Sequence, residues 1–199
     1  MIKGIIFDLD GVYFKNGTKN FLDTVSLKFK VDRDKVAQVY LESDKMQEYK
    51  KGKISGKEYW NWIIAELEIE STMQELLGIL EEGYEINDQA KEILKKIKSK
   101  QIKSIMCSNN FKERIELLIN KFDFQKDFDY SILSYNYGII KPELLNKVIE
   151  ETNFEAKEII LIDNGEEIIN SAKEKGFKII LCEDSDKIED YLNEIGVNI

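Results

Sequence analysis

Four short stretches hold residue types that can move a phosphoryl group or a proton. Asp8-Leu9-Asp10-Gly11 sets two carboxyls two residues apart at a glycine turn. Ser108-Asn109-Asn110 offers a hydroxyl and two amides. Gly138-Ile139-Ile140-Lys141-Pro142 offers a lysine before the chain's single proline, and Asp163-Asn164-Gly165-Glu166-Glu167 a further acid beside an amide. A carboxylate can act as a nucleophile and split a hydrolysis into two easier steps. A neighbouring carboxyl can protonate a leaving oxygen and then deprotonate water. A hydroxyl and a lysine can stabilise negative charge as it develops. The chain has no histidine. A Ser-His-Asp triad, a Cys-His dyad and an imidazole zinc site are therefore excluded, and acid-base chemistry falls to carboxylates, lysine or tyrosine.

Each stretch also has a plainer reading. Asp-x-Asp occurs four times, at 8/10, 32/34, 127/129 and 184/186. Only the first leaves an apolar run and enters a glycine turn; the others read as caps, turns or solvated faces. A serine after a strand is commonly a helix N-cap, and Lys141-Pro142 also reads as a helix start with proline at its first position.

Order and position raise the four stretches above these readings, because each follows a predicted strand. Residues 2–7 (IKGIIF) form the first. The rhythm after residue 86 alternates helix and strand: helices at 88–99, 111–121, 142–152, 166–175 and 186–195, strands at 102–107, 130–134, 158–162 and 177–182. Short Ile- and Leu-rich strands without alternation predict a parallel sheet covered on both faces. Ligands bind such sheets at the carboxyl ends of the strands, where all four stretches fall. Residues 17–85 instead give successive helical patterns, at 19–29, 33–49, 55–67 and 71–82, with Asp32 and Ser55 as N-caps and Gly52 and Gly83 as stops. The expected architecture is an α/β doubly wound parallel sheet, core residues 1–14 and 87–199, with a small helical cap at 15–86 after strand one.

Composition narrows the partners. The net charge is −9 and the basic residues are scattered, unlike the clustered charge of a nucleic-acid surface. KEILKKIKSK (91–100) reads as the solvated side of a helix, since Ile93, Leu94 and Ile97 recur at helical spacing. No apolar run reaches membrane-spanning length, and the N-terminus is a poor signal peptide. No nucleic acid, no membrane, a cytoplasmic location, and a monomer or weak homodimer are expected. Cys107 and Cys182 each end an apolar run and read as small buried hydrophobes. Lys50, Lys51 and Lys53 read first as a solvated run, with contact to an anionic substrate as the alternative. Tyr59, Trp60 and Trp62 read either as helix packing or as a platform for a sugar.

Taken together, the strand followed by Asp8–Val12, the strand-end Ser108, Lys141 before proline and Asp163-Asn164 after a strand resemble the four motifs of the haloacid dehalogenase (HAD) superfamily. The resemblance covers nearly the whole chain. IMCSNN through KIILCED, and KKGKISGKEYW (50–60), look like its sugar-phosphatase branch, which includes bacterial glucose-1-phosphatase. It implies Asp8 as nucleophile, Asp10 as acid and base, and Ser108 and Lys141 as catalytic partners. Asp8, Gly11, Ser108, Asn109 and Lys141 would bind the phosphoryl group. Asp8, the Asp10 backbone carbonyl, Asp163 and Asn164 would surround Mg2+. Asp10 points to a phosphatase or phosphomutase, because the family's dehalogenases lack an acid there. The implied reaction is hydrolysis of a small phosphorylated metabolite, a sugar phosphate among the options, through an aspartyl-phosphate. One departure stands out: most such phosphatases carry a second Asp where this chain has Asn164, and the Asn that often follows is Ile168. The same departure keeps open a degenerate HAD-fold protein that binds a phosphorylated ligand without turnover.

Overall fold

A computed structural model describes residues 1–197. Its central sheet contains β1 (Gly4–Phe7), β4 (Lys103–Ser108), β5 (Tyr130–Leu133), β6 (Ile159–Asp163) and β7 (Lys178–Leu181). The order is β5-β4-β1-β6-β7, and every neighbouring pair is parallel. All four β1 residues and all five β6 residues are buried, as strands covered on both faces must be. The chain builds outward from β1 through β4 to β5, then returns to the other side of β1 for β6 and β7. That reversal opens a crevice between β1 and β6 at their carboxyl ends.

Five α-helices form the segment inserted after β1: α1 (Gly17–Phe29), α2 (Arg33–Ala37), α3 (Asp44–Lys50), α4 (Gly56–Glu66) and α5 (Met73–Gly83). Asp32 and Ser55 cap as expected, accepting from Lys35 N and Glu58 N at 3.0 and 3.2 Å. The chain leaves and re-enters the sheet through an antiparallel ribbon, β2 (Phe14–Lys15) with β3 (Glu85–Ile86). Two residues per strand are too few for any pattern to announce them. The remaining helices are α6 (Asp88–Ser99), α7 (Lys112–Phe122), α8 (Ser134–Tyr137), α9 (Leu145–Thr152), α10 (Glu166–Glu174) and α11 (Ile188–Glu194).

Two predicted helices differ. The expected helix at 33–49 is broken: a π-helical turn at Gln38–Glu42 ends at Ser43, which is extended and accepts from Met46 N at 3.2 Å to start α3. The apolar spacing runs through this break and hides it. The helix expected from 142 begins at 145, because residues 142–147 wind in tighter i→i+3 turns, with Leu145 N donating to Pro142 O. Pro142 is therefore not a first helical residue; the Lys141–Pro142 peptide is cis.

Other expectations about buried and capping side chains hold. Ile93, Leu94 and Ile97 are buried on α6, and Cys107 and Cys182 are buried free thiols. Asp32 and Asp184 cap, Asp129 accepts from Ser104 and Lys103, and Asp127 accepts from Tyr13. Among the described residues, no helix is long and apolar enough to cross a membrane. One hydrophobic cluster joins the sheet face carrying Ile5, Phe7 and Met106 to Phe21, Tyr40, Tyr59 and Trp60 of the helical segment.

Candidate active site

The crevice at the β1 and β6 ends opens into a cavity of about 380 Å3. Asp8, Asp10, Gly11, Ser108, Asn109, Lys141, Asp163 and Asn164 all line it. The residues to which the sequence assigned catalytic, phosphoryl-binding and metal roles are thus brought to one place.

Strand ends form its floor. Asp8 follows β1, Ser108 is the last residue of β4, and Asp163 is the last of β6; all three are buried. Lys141 reaches between two of them, its Nζ lying 2.9 Å from Asp8 Oδ1 and 2.5 Å from Asp163 Oδ2. Asn109 holds that lysine in place by accepting from Lys141 N at 2.7 Å. Burial disfavours the ammonium, yet the charges of Asp8 and Asp163 outweigh it and hold Lys141 above its ordinary range. Asp163 is pushed up, first by burial and then by the Asp8 charge, against the pull of Lys141. Its other oxygen accepts from Gly165 N at 2.8 Å.

Asp10 faces elsewhere. Its Oδ2 accepts from Thr18 Oγ1 at 2.6 Å and from Tyr84 OH at 3.0 Å, with Arg114 Nη1 at 3.4 Å. The three carboxylates do not meet as a bare cluster, because the protein sets Lys141 against two of them and Arg114 against the third. Arg114 is buried, donates to Asn110 Oδ1 and Tyr84 OH, and lies over the Phe111 ring. Gly11 has a positive φ of 86°, and a β-carbon there would lie 2.3 Å from Asn164 Nδ2. Only glycine allows the turn and that close approach together.

Thr18, Tyr40, Leu41, Met46 and Lys50 come from the helical segment to form the roof. The break at Ser43 makes this possible. On one continuous helix, nine residues at about 100° each would set Leu41 and Lys50 on roughly opposite faces; here both line the cavity. The solvated-run reading of the cap lysines therefore fails for Lys50, and holds for Lys51 and Lys53, which pair with Glu48. Tyr59 and Trp60 are wholly buried in an aromatic stack with Tyr49 and Phe111. Trp62 lines a separate surface hollow. None of the three reaches the cavity, so the sugar-platform reading is overturned.

Sequence reasoning missed Thr18, Tyr40, Tyr84 and Arg114. One signal was available for the last. Arg114 is one of two arginines among 29 basic residues, and an arginine where lysine is the habit suggests a forked, directional contact.

The oxygen donors suit a hard cation. Asp8 Oδ1 is buried and has no hydrogen-bond donor, since Lys141 approaches it off-line. The Asn164 side chain is exposed at the cavity edge. Among the described residues, no three Asp, Glu, His or Cys side chains are grouped to hold a metal. A cation here would need backbone and amide oxygens beside Asp8.

A doubly wound α/β fold with a buried, lysine-bridged aspartate at its switch point defines the class. The chain belongs to the haloacid dehalogenase-like hydrolases, whose family model matches residues 2–176. A Dictyostelium discoideum protein described as uncharacterized is 29% identical over 202 residues, covering 92% of this chain and 83% of that one. A HAD-like family hydrolase from Porphyromonas gingivalis superposes with a TM-score of 0.79 at 19% identity over 98% of both chains. A HAD family enzyme from Bacteroides thetaiotaomicron, solved as an Asp-to-Ala variant with magnesium and inorganic phosphate, gives 0.75 at 17% identity over 90% of this chain and 93% of that one. These structural likenesses establish the fold.

Proposed function

We infer that this hydrolase is a magnesium-dependent phosphatase acting on a small phosphorylated metabolite. One observation carries the choice of phosphate over halide. Asp10 is held at the cavity by three donors, all on Oδ2, which leaves Oδ1 free to meet a leaving oxygen. A departing halide needs no proton, whereas an alkoxide does.

In this reading an Asp8 oxygen attacks phosphorus as the bond to the leaving oxygen breaks, and Asp10 gives that oxygen its proton. Asp10 then takes a proton from water, which attacks the phosphorus of the aspartyl-phosphate. The Asp8–phosphorus bond breaks, releasing phosphate and restoring both carboxyls. Ser108 and Lys141 hold the phosphoryl oxygens, while Asn109 fixes the backbone of Lys141. Asp8, the Asp10 carbonyl and Asn164 or Asp163 would hold Mg2+, which when bound neutralises phosphoryl charge and favours attack by an anionic carboxylate.

Hydrolysis of p-nitrophenyl phosphate with Mg2+, abolished by a chelator and restored by added Mg2+, is the expected result. Release of halide from 2-haloacids without phosphatase activity would overturn the reading.

A further inference from the structure

Three cations line the cavity, and two are matched. Lys141 has Asp8 and Asp163; Arg114 has Asp10, Tyr84 and Asn110. The Lys50 carbonyl accepts from Ser134 Oγ at 2.6 Å, but its ammonium has no hydrogen bond or ion pair among the described residues, although the residue is half-buried in the roof. Tyr40 stands on the same roof, 1% exposed, and its hydroxyl, with the Arg114 guanidinium beside it, finds no acceptor for its own proton. A buried donor and a half-buried cation left unmatched on one wall are costly unless a ligand completes them. Met46 and Leu41 between them are apolar and supply no anion. Burial and then Arg114 hold the Lys50 ammonium down to about 8, so an incoming anion would stabilise its charged form.

Position separates this pair from the phosphoryl site. Ser108 and Lys141 belong to the floor, whereas Lys50 ends α3 and Tyr40 lies in the π-helical turn. A phosphate ester seated over Asp8 would turn its leaving group toward this roof. The cavity, at about 380 Å3, lies near the low end of the roughly 300–1,000 Å3 of ligand sites. That suits a short metabolite.

We propose that Lys50 and the Tyr40 hydroxyl form a second anion subsite, and that the substrates are short phosphate monoesters whose leaving group bears a carboxylate. An ammonium and a phenol hydroxyl together match the two oxygens of a carboxylate. The phosphoryl end of this assignment rests on the phosphatase reading; the subsite itself is tested separately from it.

The probes are 3-phosphoglycerate and glycerol 3-phosphate, which share a skeleton and differ by a carboxylate against a hydroxymethyl group. The wild-type protein is expected to prefer the carboxylate probe in kcat/KM. Lys50→Gln and Lys50→Met should each lower that probe by about 10–100-fold, the scale of a hydrogen bond between charged groups, and the alcohol probe by much less. Lys50→Arg should keep most of the preference, and Lys53→Met should leave it unchanged. Equal rates for the two probes in the wild type, or equal losses for both in the Lys50 variants, would overturn the subsite. Titration calorimetry on Asp8→Asn gives a readout independent of turnover. If neither probe is hydrolysed but Asp8→Asn binds the carboxylate probe more tightly, and Lys50→Gln added to it removes that difference, the subsite stands and the phosphatase reading falls. Equal or undetectable binding of both probes overturns the subsite.

Discussion

Floor and roof of the cavity are made in different ways. Three of the floor residues sit at strand ends, so their places follow from a few residues of local sequence: apolar run, then chemistry. Asp8, Ser108 and Asp163 share that form. Roof residues sit on helices, where an amphipathic pattern reports which side is buried and not which cavity it meets. Leu41 and Lys50 line one cavity only because the helix breaks at Ser43. On the proposed function, the floor would support chemistry common to many substrates, and the roof would meet what differs between them. Asp10 belongs to both, carried on the floor loop and held by Thr18, Tyr84 and Arg114.

The sharpest way to break this contrast is at Asp8. Asp8→Asn should fold with a normal thermal melt and lose turnover by roughly 10^5-fold on every phosphate ester, the scale of a lost nucleophile. A folded variant with near-normal steady-state rates would remove the floor from the chemistry.

Asp10→Asn should cost about 10²–10⁴-fold with an alkoxide leaving group and far less with p-nitrophenolate, which leaves unaided. Single-turnover rates isolate the first step. Equal losses on both esters would assign Asp10 to holding the roof alone.

The roof should answer to pH where the floor does not. Lys50 is charged below about 8, with Arg114 and Lys141 pressing it toward neutrality and Asp10 and Asp8 opposing them. Affinity for a carboxylate-bearing ester should therefore be present below that value and fall as pH rises through it, by about tenfold. Lys50→Gln should flatten the profile, and Lys50→Arg should carry full affinity to higher pH. A KM profile unchanged by Lys50→Gln would dismiss the roof as an anion site.

Asn164→Asp should have the smallest effect. It adds a carboxylate at the cavity edge and should lower the Mg2+ needed for half-maximal activity by at most ~10-fold, about 1.4 kcal/mol. Asn164 is exposed, so water screens much of the added charge. If Asp163 is the ligand instead, Asp163→Asn should abolish the metal dependence. An Mg2+ titration that neither variant shifts would move the metal away from the end of β6.

Legibility in the sequence followed the same divide. The parallel sheet and its strand-end residues could be read because buried strands are short, apolar and punctuated by polar turns. The helix break at 43 could not, since Val36, Val39, Tyr40, Met46 and Tyr49 keep a helical spacing through it and are all buried. Lys50 was hidden among neighbours of the same charge, and only the fold separates it from Lys51 and Lys53. The start of α9 was read three residues early because proline is a good first helical residue, and nothing local signals the tighter winding through 142–147.

The hydrophobic cluster shared by sheet and helical segment has a thermodynamic consequence. Phe21, Tyr40, Tyr59 and Trp60 pack into the same body as Phe7 and Phe111, so the inserted helices have no separate interior to melt around. Heat should take the described fold apart in one cooperative transition, with calorimetric and van't Hoff enthalpies in agreement. Excising residues 15–86 should leave a sheet with an exposed apolar face, not a smaller stable protein. The inserted segment, which lines the roof of the cavity, is therefore no detachable module: reshaping the roof means changing side chains such as Lys50 within it.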